Sequence, residues 1–225
     1  MQKTFILSFM VLIFPVFVFS YNIEKKTILT GDTMEILNNG EIAISKGNSK
    51  AINGGTIITA DKMAFNEKNS TVKANGNVKM VSQTQDKLPI VAKGKTVFYS
   101  LKSQMGSFSG DMSQIEYFVK NSTVPASLKA KSIYVDKNNE NAVAFKNVEV
   151  FTSSGAITSD NAFYFKKHSA VLFKKDAKRP IADVFYDGKK GKYEADAMVF
   201  YNLNNSKKII MYGNIVGKIE MENIK

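Results

Sequence analysis

One pattern, which returns six times along the chain, constrains the fold more than any other feature of the sequence. Its clearest copy is "ITADKMAFNEKNSTVKANGNVKM", from Ile58 to Met80, in which apolar and polar residues alternate on both sides of a polar turn. Each copy has an Asp or a Lys near its start, and most copies end near a Gly-Asn pair or a related one. The Asp-or-Lys positions are Asp32, Asp61, Lys95, Lys131, Asp160 and Asp196. Repetition of this kind indicates one supersecondary unit per copy, packed against its neighbours.

The spacing inside the repeat predicts a β-hairpin with a fixed register. In the second part of the clearest copy, Val72, Ala74 and Met80 share one parity, which is the period of two expected of a strand with one buried face. The Asp-or-Lys position precedes the Gly-Asn position by fifteen residues in five copies, as from Asp61 to Gly76, and by seventeen in the last copy. β-Branched residues, Asn and Gly are also poor helix formers.

The first strand of the repeat predicts a bend. Ala60 and Met63 are separated by three residues rather than two, and the same offset begins at Gly94, Ala130 and Ala195 in other copies. An alternation that slips at the same place each time predicts a β-bulge or a local bend beside the Asp-or-Lys position. We interpret the Asp side chains as hydrogen-bonding groups of this turn or bulge, because one carboxylate per copy is too few for a calcium site.

Six hairpins give about twelve strands, and further strands are predicted at Ile115–Val119 and Ile181–Tyr186. The prolines Pro89, Pro125 and Pro180 fall between copies, where a strand tolerates a residue without an amide donor. No long amphipathic helical pattern interrupts the strands, so the predicted fold class is all-β. The residues alone leave three architectures open: a β-solenoid, an up-and-down barrel, or two facing sheets in a jelly-roll-like sandwich.

The N-terminal segment predicts export. Lys3 precedes the apolar run "FILSFMVLIFPVFVF", and Val18 with Ser20 supplies the small residues that signal peptidase accepts before Tyr21. We therefore expect a signal peptide at 1–20, a single mature domain at 21–225 and a periplasmic location. The alternative is a retained anchor, because the uncharged segment 4–23 is long enough to span a bilayer.

Composition removes several function classes. The chain has no cysteine, which excludes a disulfide framework, a thiolate metal site and a thiol nucleophile. Its one histidine, His168, lies in a predicted turn, so we expect neither a metal nor a cofactor. The net charge of +11 would suit an anionic partner, but an exported chain without a recognition motif is not expected to bind nucleic acid. Glu194 and Asp196 are a carboxylate pair of the kind that glycosidases use, yet they fall on the repeat pattern, so no enzymatic activity is predicted.

The repeat resembles the OstA-like repeat of the LptA family, which transports lipopolysaccharide across the periplasm. The A-D-x-φ-x-φ start and the A-x-G-N-V-x-φ finish, where φ is apolar, carry this resemblance, and the copies around Asp32 and Asp61 match best. The resemblance covers nearly the whole mature chain, although each motif is short. Relatives within the system are the membrane-anchored LptC and the N-terminal domain of LptD. A chain with a cleavable signal is most similar to the soluble bridge protein.

The resemblance implies a twisted, partly open antiparallel β jelly roll, called a β-taco, that holds the acyl chains of lipopolysaccharide or a similar glycolipid. It also implies head-to-tail homo-oligomers, contacts with LptC-like and LptD-like subunits, and no chemistry on the lipid. Two alternatives remain, an LptC-like anchored subunit and an exported β-solenoid scaffold. The predicted groove-lining residues are Met63, Phe65, Val72, Met80, Val97, Tyr99, Phe108, Ile133, Val135, Val148, Val150, Met198, Phe200 and Met211. The predicted contacts to phosphate or acidic sugars are Lys174, Lys175, Lys178 and Arg179.

Overall fold

The computed structural model describes residues 17–19, 27–83, 87–118, 125–186, 189–203 and 206–221, and these residues are mostly β-strand. Seventeen strands form one sheet, in which every pairing is antiparallel. Over this part of the chain, no helix has the length and apolar character needed to cross a membrane.

The strands follow one another with short connections, two of which contain a single 3-10 turn, at Asn38–Gly40 and Lys166–His168. The first nine strands are β1 (Phe17–Phe19), β2 (Thr27–Thr30), β3 (Thr33–Leu37), β4 (Ile42–Asn53), β5 (Thr56–Asn66), β6 (Thr71–Gln83), β7 (Pro89–Ser100), β8 (Met105–Tyr117) and β9 (Ala126–Asp136). The other eight are β10 (Asn141–Thr152), β11 (Gly155–Phe165), β12 (Ala170–Lys174), β13 (Ile181–Tyr186), β14 (Lys189–Glu194), β15 (Ala197–Leu203), β16 (Ser206–Tyr212) and β17 (Val216–Met221).

The eight long strands β4 to β11 pair in sequence, and each contributes to two walls. Wall 1 contains β3, residues 42–46 of β4, residues 161–165 of β11, and then β12, β15 and β16. Wall 2 contains β2, residues 49–53 of β4, residues 155–159 of β11, and then β13, β14 and β17. The sheet therefore divides into two at both of its ends, while the middle is continuous from one wall to the other.

A bend separates the two walls. All seven pairings among β4 to β11 shift register at this point, for example between Lys46 and Ser49 of β4. In β5 the buried face passes from Ala60 to Met63 across the bend. The predicted recurrent bulge beside the Asp-or-Lys position is thus confirmed. The extra residues lie on the opposite strand, where Gly47 and Asn48 of β4 face Asp61 of β5.

The alternation of side chains explains why the two walls face each other. In β6, Val72, Ala74 and Met80 are buried while Lys73 and Lys79 are exposed, as their parity predicts. Buried residues from both walls belong to a single hydrophobic core. The prediction of an all-β, partly open antiparallel fold is therefore confirmed, and the chain is a sheet folded over on itself.

Several smaller predictions can be compared with the strands. Ile181–Tyr186 is strand β13, as expected, whereas Ile115 to Tyr117 form the end of β8 rather than a separate strand. Val119 lies outside the described residues, as do most of the predicted signal peptide and its cleavage site. Of that segment the structure describes only β1, whose backbone pairs with β2.

Candidate functional site

In the first, second and last copies of the repeat, the bend is held by a contact between the Asp and the Gly-Asn pair. Asn77 Nδ2 donates to Asp61 Oδ2 at 2.9 Å, and Asn48 Nδ2 donates to Asp32 Oδ2 at 3.0 Å. The preceding Gly76 has a φ of +74°, and a Cβ at this position would lie 2.2 Å from Asp61 Oδ2. Glycine is therefore needed here both for its backbone conformation and for the space it leaves. The motif that carries the family resemblance is the motif that bends the sheet.

In the last two copies, backbone N–H groups also donate to the Asp. Asp160 Oδ2 accepts from the backbone N–H groups of Asp176, Ala177 and Lys178, at 3.1, 2.7 and 2.6 Å. These bonds, with that of Lys178 the largest, lower the pKa of Asp160. Asp196 accepts from both nitrogens of Asn214 at 3.1 Å, and the backbone N–H of Asn214 is the main cause of its lowered pKa. The Asp positions thus have the structural role that the sequence predicted.

Between the two walls lies a trough with a cavity of about 570 Å³. Tyr99, Val135 and Phe200 line it from wall 1, and Leu128 and Val150 line it from wall 2. It lies opposite the bend and opens between two rows of hairpin turns. Its surface is mainly apolar, and at its rim lie polar side chains of the wall 1 turns. The space could hold an elongated apolar ligand whose polar end remains at the rim.

All fourteen predicted groove residues point inward, but they fall into two groups. Each is either part of the buried core or packed against it. Five of them line the cavity: Met80, Tyr99, Val135, Val150 and Phe200. The other nine pack in the core away from the cavity: Met63, Phe65, Val72, Val97, Phe108, Ile133, Val148, Met198 and Met211. Contact of any of them with a lipid stays a prediction.

The cavity has lining residues that the sequence reasoning did not select. They include Ile90, Leu128, Tyr117, Tyr164 and Val171. Each shares the parity of a predicted inward residue on its own or a paired strand; Leu128, for example, pairs with Val150. Extending the period-two alternation through the segments between repeats would have found Ile90, Tyr117 and Leu128, because those segments prove to be part of the second wall. Tyr164 and Val171 lie inside the fifth repeat, on wall 1.

Three tyrosines, Tyr99, Tyr117 and Tyr164, are among the residues that line the trough. Burial raises the pKa of Tyr99 to about 12, with a further contribution from Asp136, and burial also raises the pKa of Tyr117 to about 12. The Tyr99 hydroxyl is buried and has no hydrogen-bond partner within the described protein. All these phenols are neutral at physiological pH, so they can donate to a ligand without adding charge to an apolar site.

The rim carries both signs of charge. Lys166 Nζ lies 2.6 Å from Glu140 Oε2, which joins two adjacent wall 1 turns. Lys137 Nζ reaches across the opening to Thr56 Oγ1 of wall 2, at 3.5 Å. The mouth is therefore bridged near β5, and the cavity lies on the side of this bridge toward the later strands.

The predicted phosphate-binding segment, residues 174–179, does not lie at the rim. Lys175 Nζ is 3.1 Å from Asp196 Oδ1, and Arg179 Nη1 is 3.0 Å from Glu194 Oε1. Lys174 and Lys178 are exposed to solvent. Glu194 and Asp196, which the sequence analysis considered as a catalytic pair, are thus engaged with basic residues beside the bend, and phosphate contact at this segment stays a prediction.

Other chemistry has little support in the geometry. Within the described ranges, no three His, Cys, Asp or Glu side chains lie close enough to hold a metal ion together. His168 is exposed in its 3-10 turn. The arrangement is suited to binding an apolar or amphiphilic molecule.

Comparisons with known proteins give a weak likeness to solved structures. No protein-family model matches the chain, and no curated protein matches it. Among solved structures it is similar to LptH from Pseudomonas aeruginosa, described as the LptA-homologous periplasmic component of the lipopolysaccharide transport device. The two share 11% identity at a TM-score of 0.38, over 73% of this chain and 96% of that one. A likeness this weak says nothing about what this chain binds.

Proposed function

We propose that this protein binds lipopolysaccharide, or a similar glycolipid, and carries it across the periplasm by sheathing its acyl chains in the trough. The observation that supports this most directly is the apolar cavity of about 570 Å³ between the walls, open along one side. The repeats on which the family resemblance rests are also the residues that bend the sheet into this shape.

The energetics favour such a sheath. Exposing an acyl chain to water costs roughly 0.8 kcal/mol per CH₂ group, so a lipid cannot cross an aqueous compartment unaided. An open trough shields the chains along its floor while sugars and phosphates stay in water at the rim. The tyrosine hydroxyls add neutral donors inside, which suits the ester and amide groups that join acyl chains to a sugar.

Site-specific photo-crosslinking in cells tests the proposal. A crosslinker at Val135 or Val150, which line the trough from opposite walls, should capture the glycolipid. The matched control is Lys73, whose side chain points outward and is exposed. Met63 is a second control, since it is inward but fully buried away from the cavity.

Capture at Val135 and Val150, with little at Lys73 and Met63, supports transport. Equal capture at Val135 and Lys73 would mean that contact is non-specific. A folded protein without capture at any position would contradict the proposal and favour the scaffold alternative.

The proposal includes head-to-tail assembly through the ends of the sheet. Among the described residues, strand β3 at one end and β16 at the other pair with one neighbour each. Ile36 of β3 and Tyr212 of β16 are exposed, at 42% and 50%. An unpaired edge is a template for another strand, and head-to-tail contacts that do not close give filaments.

Light scattering over a concentration series tests the assembly. Linear growth is expected, and Ile36→Pro should shorten the oligomers, because proline disrupts the ladder of the edge strand. A closed dimer at every concentration would contradict this arrangement.

For export, the proposal predicts a mature chain that begins at Tyr21, which intact mass measurement checks. A retained N-terminus would favour the anchored, LptC-like alternative.

A further inference from the structure

The outer face of wall 1 is apolar over its later strands. The outward row that crosses β9, β10, β11, β12, β15 and β16 consists of six residues that are direct register partners in turn: Tyr134, Val143, Phe163, Leu172, Val199 and Ile210. Since the inner face of the same strands lines the trough, these strands are apolar on both faces. Such a pattern is typical of sheets that are covered on both sides.

Aromatic side chains enlarge this row, which we name the outer stripe together with its flanking aromatics Phe145, Phe165, Tyr201 and Tyr212. The rings of Tyr134 and Phe145 meet edge-on at 6.0 Å, and those of Phe145 and Phe163 at 6.1 Å. Three of its members are more than a third exposed, Tyr134 at 51%, Phe165 at 40% and Tyr212 at 50%.

The same outward row is different over the earlier strands. It continues through Ala64 of β5, Lys73 of β6, Phe98 of β7 and Ser107 of β8. Of these four, Phe98 is the one large apolar side chain, and Ser107 separates it from Tyr134. The row also includes Ile44 of β4, so the outer face of the earlier repeats is mixed. The continuous outer stripe is therefore a local feature of the later repeats and is not required by the fold.

Basic residues frame the stripe. Lys174 and Lys208 share the outward parity of Leu172 and Ile210, while Lys146 and Lys167 follow Phe145 and Phe165 closely in the chain. All four are exposed, and no ion pair is found for them among the described residues. Nearby Asp160 and Asp196 are already occupied by backbone amides and by basic partners.

The size and charge of the stripe distinguish between occupants. Strands about 4.8 Å apart and residue rows about 7 Å apart give it dimensions of about 24 by 14 Å. That is on the order of 340 Å², whereas a stable protein interface buries about 800 Å² on each partner. A second copy packed face to face would also bring the lysines around the two stripes close together, and their like charges would repel. An anionic lipid surface needs no matching shape and attracts the lysines.

From this we propose that the outer stripe docks the protein on the surface of a membrane that contains anionic phospholipid. The aromatic side chains lie at the level of the headgroups, and Lys146, Lys167, Lys174 and Lys208 contact lipid phosphates around them. The surface is distinct from the trough, which opens between the turns, so the proposal goes beyond glycolipid binding and does not depend on it.

Vesicle sedimentation tests the proposal. The full-length chain should bind phosphatidylglycerol vesicles and bind phosphatidylcholine vesicles more weakly. The variant Tyr134→Ser, Phe165→Ser, Tyr212→Ser should bind the anionic vesicles at least tenfold more weakly. The matched control Met112→Ser, Phe151→Ser, Phe185→Ser removes three apolar side chains of similar exposure elsewhere, at 46%, 39% and 60%, and should bind like the parent. Lys174→Gln with Lys208→Gln should weaken anionic binding alone, by about fivefold per lysine.

The N-terminal segment is the same in every variant, so binding to phosphatidylcholine vesicles measures its share, and the variants are compared by their additional binding to phosphatidylglycerol vesicles. Equal binding by the stripe variant and the parent would overturn the proposal. Absence of vesicle binding by the parent would also overturn it, as would a stripe variant that changes only the oligomeric size. Circular dichroism checks that the variants fold, and crosslinking at Val135 tests the trough separately, since none of these substitutions touches it.

Discussion

The earlier and later repeats of this chain share one pattern yet use their surfaces differently. In the wall 1 part of β5 and β6 the inner face is closed, and Met63, Val72 and Ala74 are fully buried. Around β9 to β15 the inner face includes Val135, Val150 and Phe200, which remain partly exposed and line the cavity. The outer face changes in the same direction, from Lys73 and Ser107 to Val143 and Phe163. The difference indicates that both sets of repeats contribute to one core, whereas most of the partly exposed apolar surface lies on the later repeats.

The largest difference between the two regions is expected when a carboxylate is placed on the inner face of each. Met63→Asp should destabilise the protein by roughly 3–5 kcal/mol, because the charge would be buried without a partner. Val150→Asp should cost much less, because the open trough lets water reach the carboxylate, yet it should abolish glycolipid capture. Urea denaturation compares the free energies of unfolding, and equal losses would show that the two inner faces are equally closed.

Phe65→Asp is a substitution that the sequence alone would suggest for the groove. It should destabilise the protein as Met63→Asp does, since Phe65 is 4% exposed and lies outside the cavity.

Glycine substitutions at the bends should give a smaller difference in stability between the earlier and the later repeats. Gly76→Ala should cost about 1–3 kcal/mol, because its φ is +74° and the new Cβ would meet Asp61. Gly213→Ala meets Asp196 in the same way, but next to the last strands, where local unfolding absorbs part of the cost. The control is Gly55→Ala, whose Cβ would meet nothing within 4 Å. Thermal unfolding measures all three, and a Gly55 variant as unstable as the Gly76 variant would contradict this account of the bend.

The smallest effect concerns pH. The backbone amides that bind Asp160 lower its pKa in the folded state, so its contribution to stability is complete above the unfolded value of about 3.9 and is lost as pH falls through the folded value. Asp160→Asn should therefore lower stability modestly at neutral pH, and the difference from the parent should shrink below about pH 4. Denaturation at a series of pH values measures it. A difference that does not depend on pH would mean that the carboxylate charge has no role there.

Much of the fold was predictable, because it is encoded locally and repeated. Period-two alternation gave the inward residues, and the offset from Ala60 to Met63 gave the bend. The sequence did not reveal that a strand continues through the bend into a second wall, because the segments between repeats seemed to be connections. Pro89 and Pro180 marked strand starts rather than gaps.

The site was less predictable than the fold. Parity tells which side chains point inward, but a cavity forms where facing side chains fail to meet, and this depends on the distance between the walls. Val72 and Val150 have the same chemistry and the same parity, yet one is closed in and the other lines the trough. The outer stripe was missed because "NAVAFKN" and "NAFYFKK" were interpreted by one face only.

The bend at each Gly-Asn position makes the cross-section of the trough independent of its length. Because each of the eight long strands β4 to β11 turns at its own bend, the cross-section of the trough is determined repeat by repeat. Its length is determined by how many repeats follow one another, at about 9.6 Å per pair of strands. Duplication or loss of a repeat would therefore lengthen or shorten the trough without changing its cross-section at the other repeats.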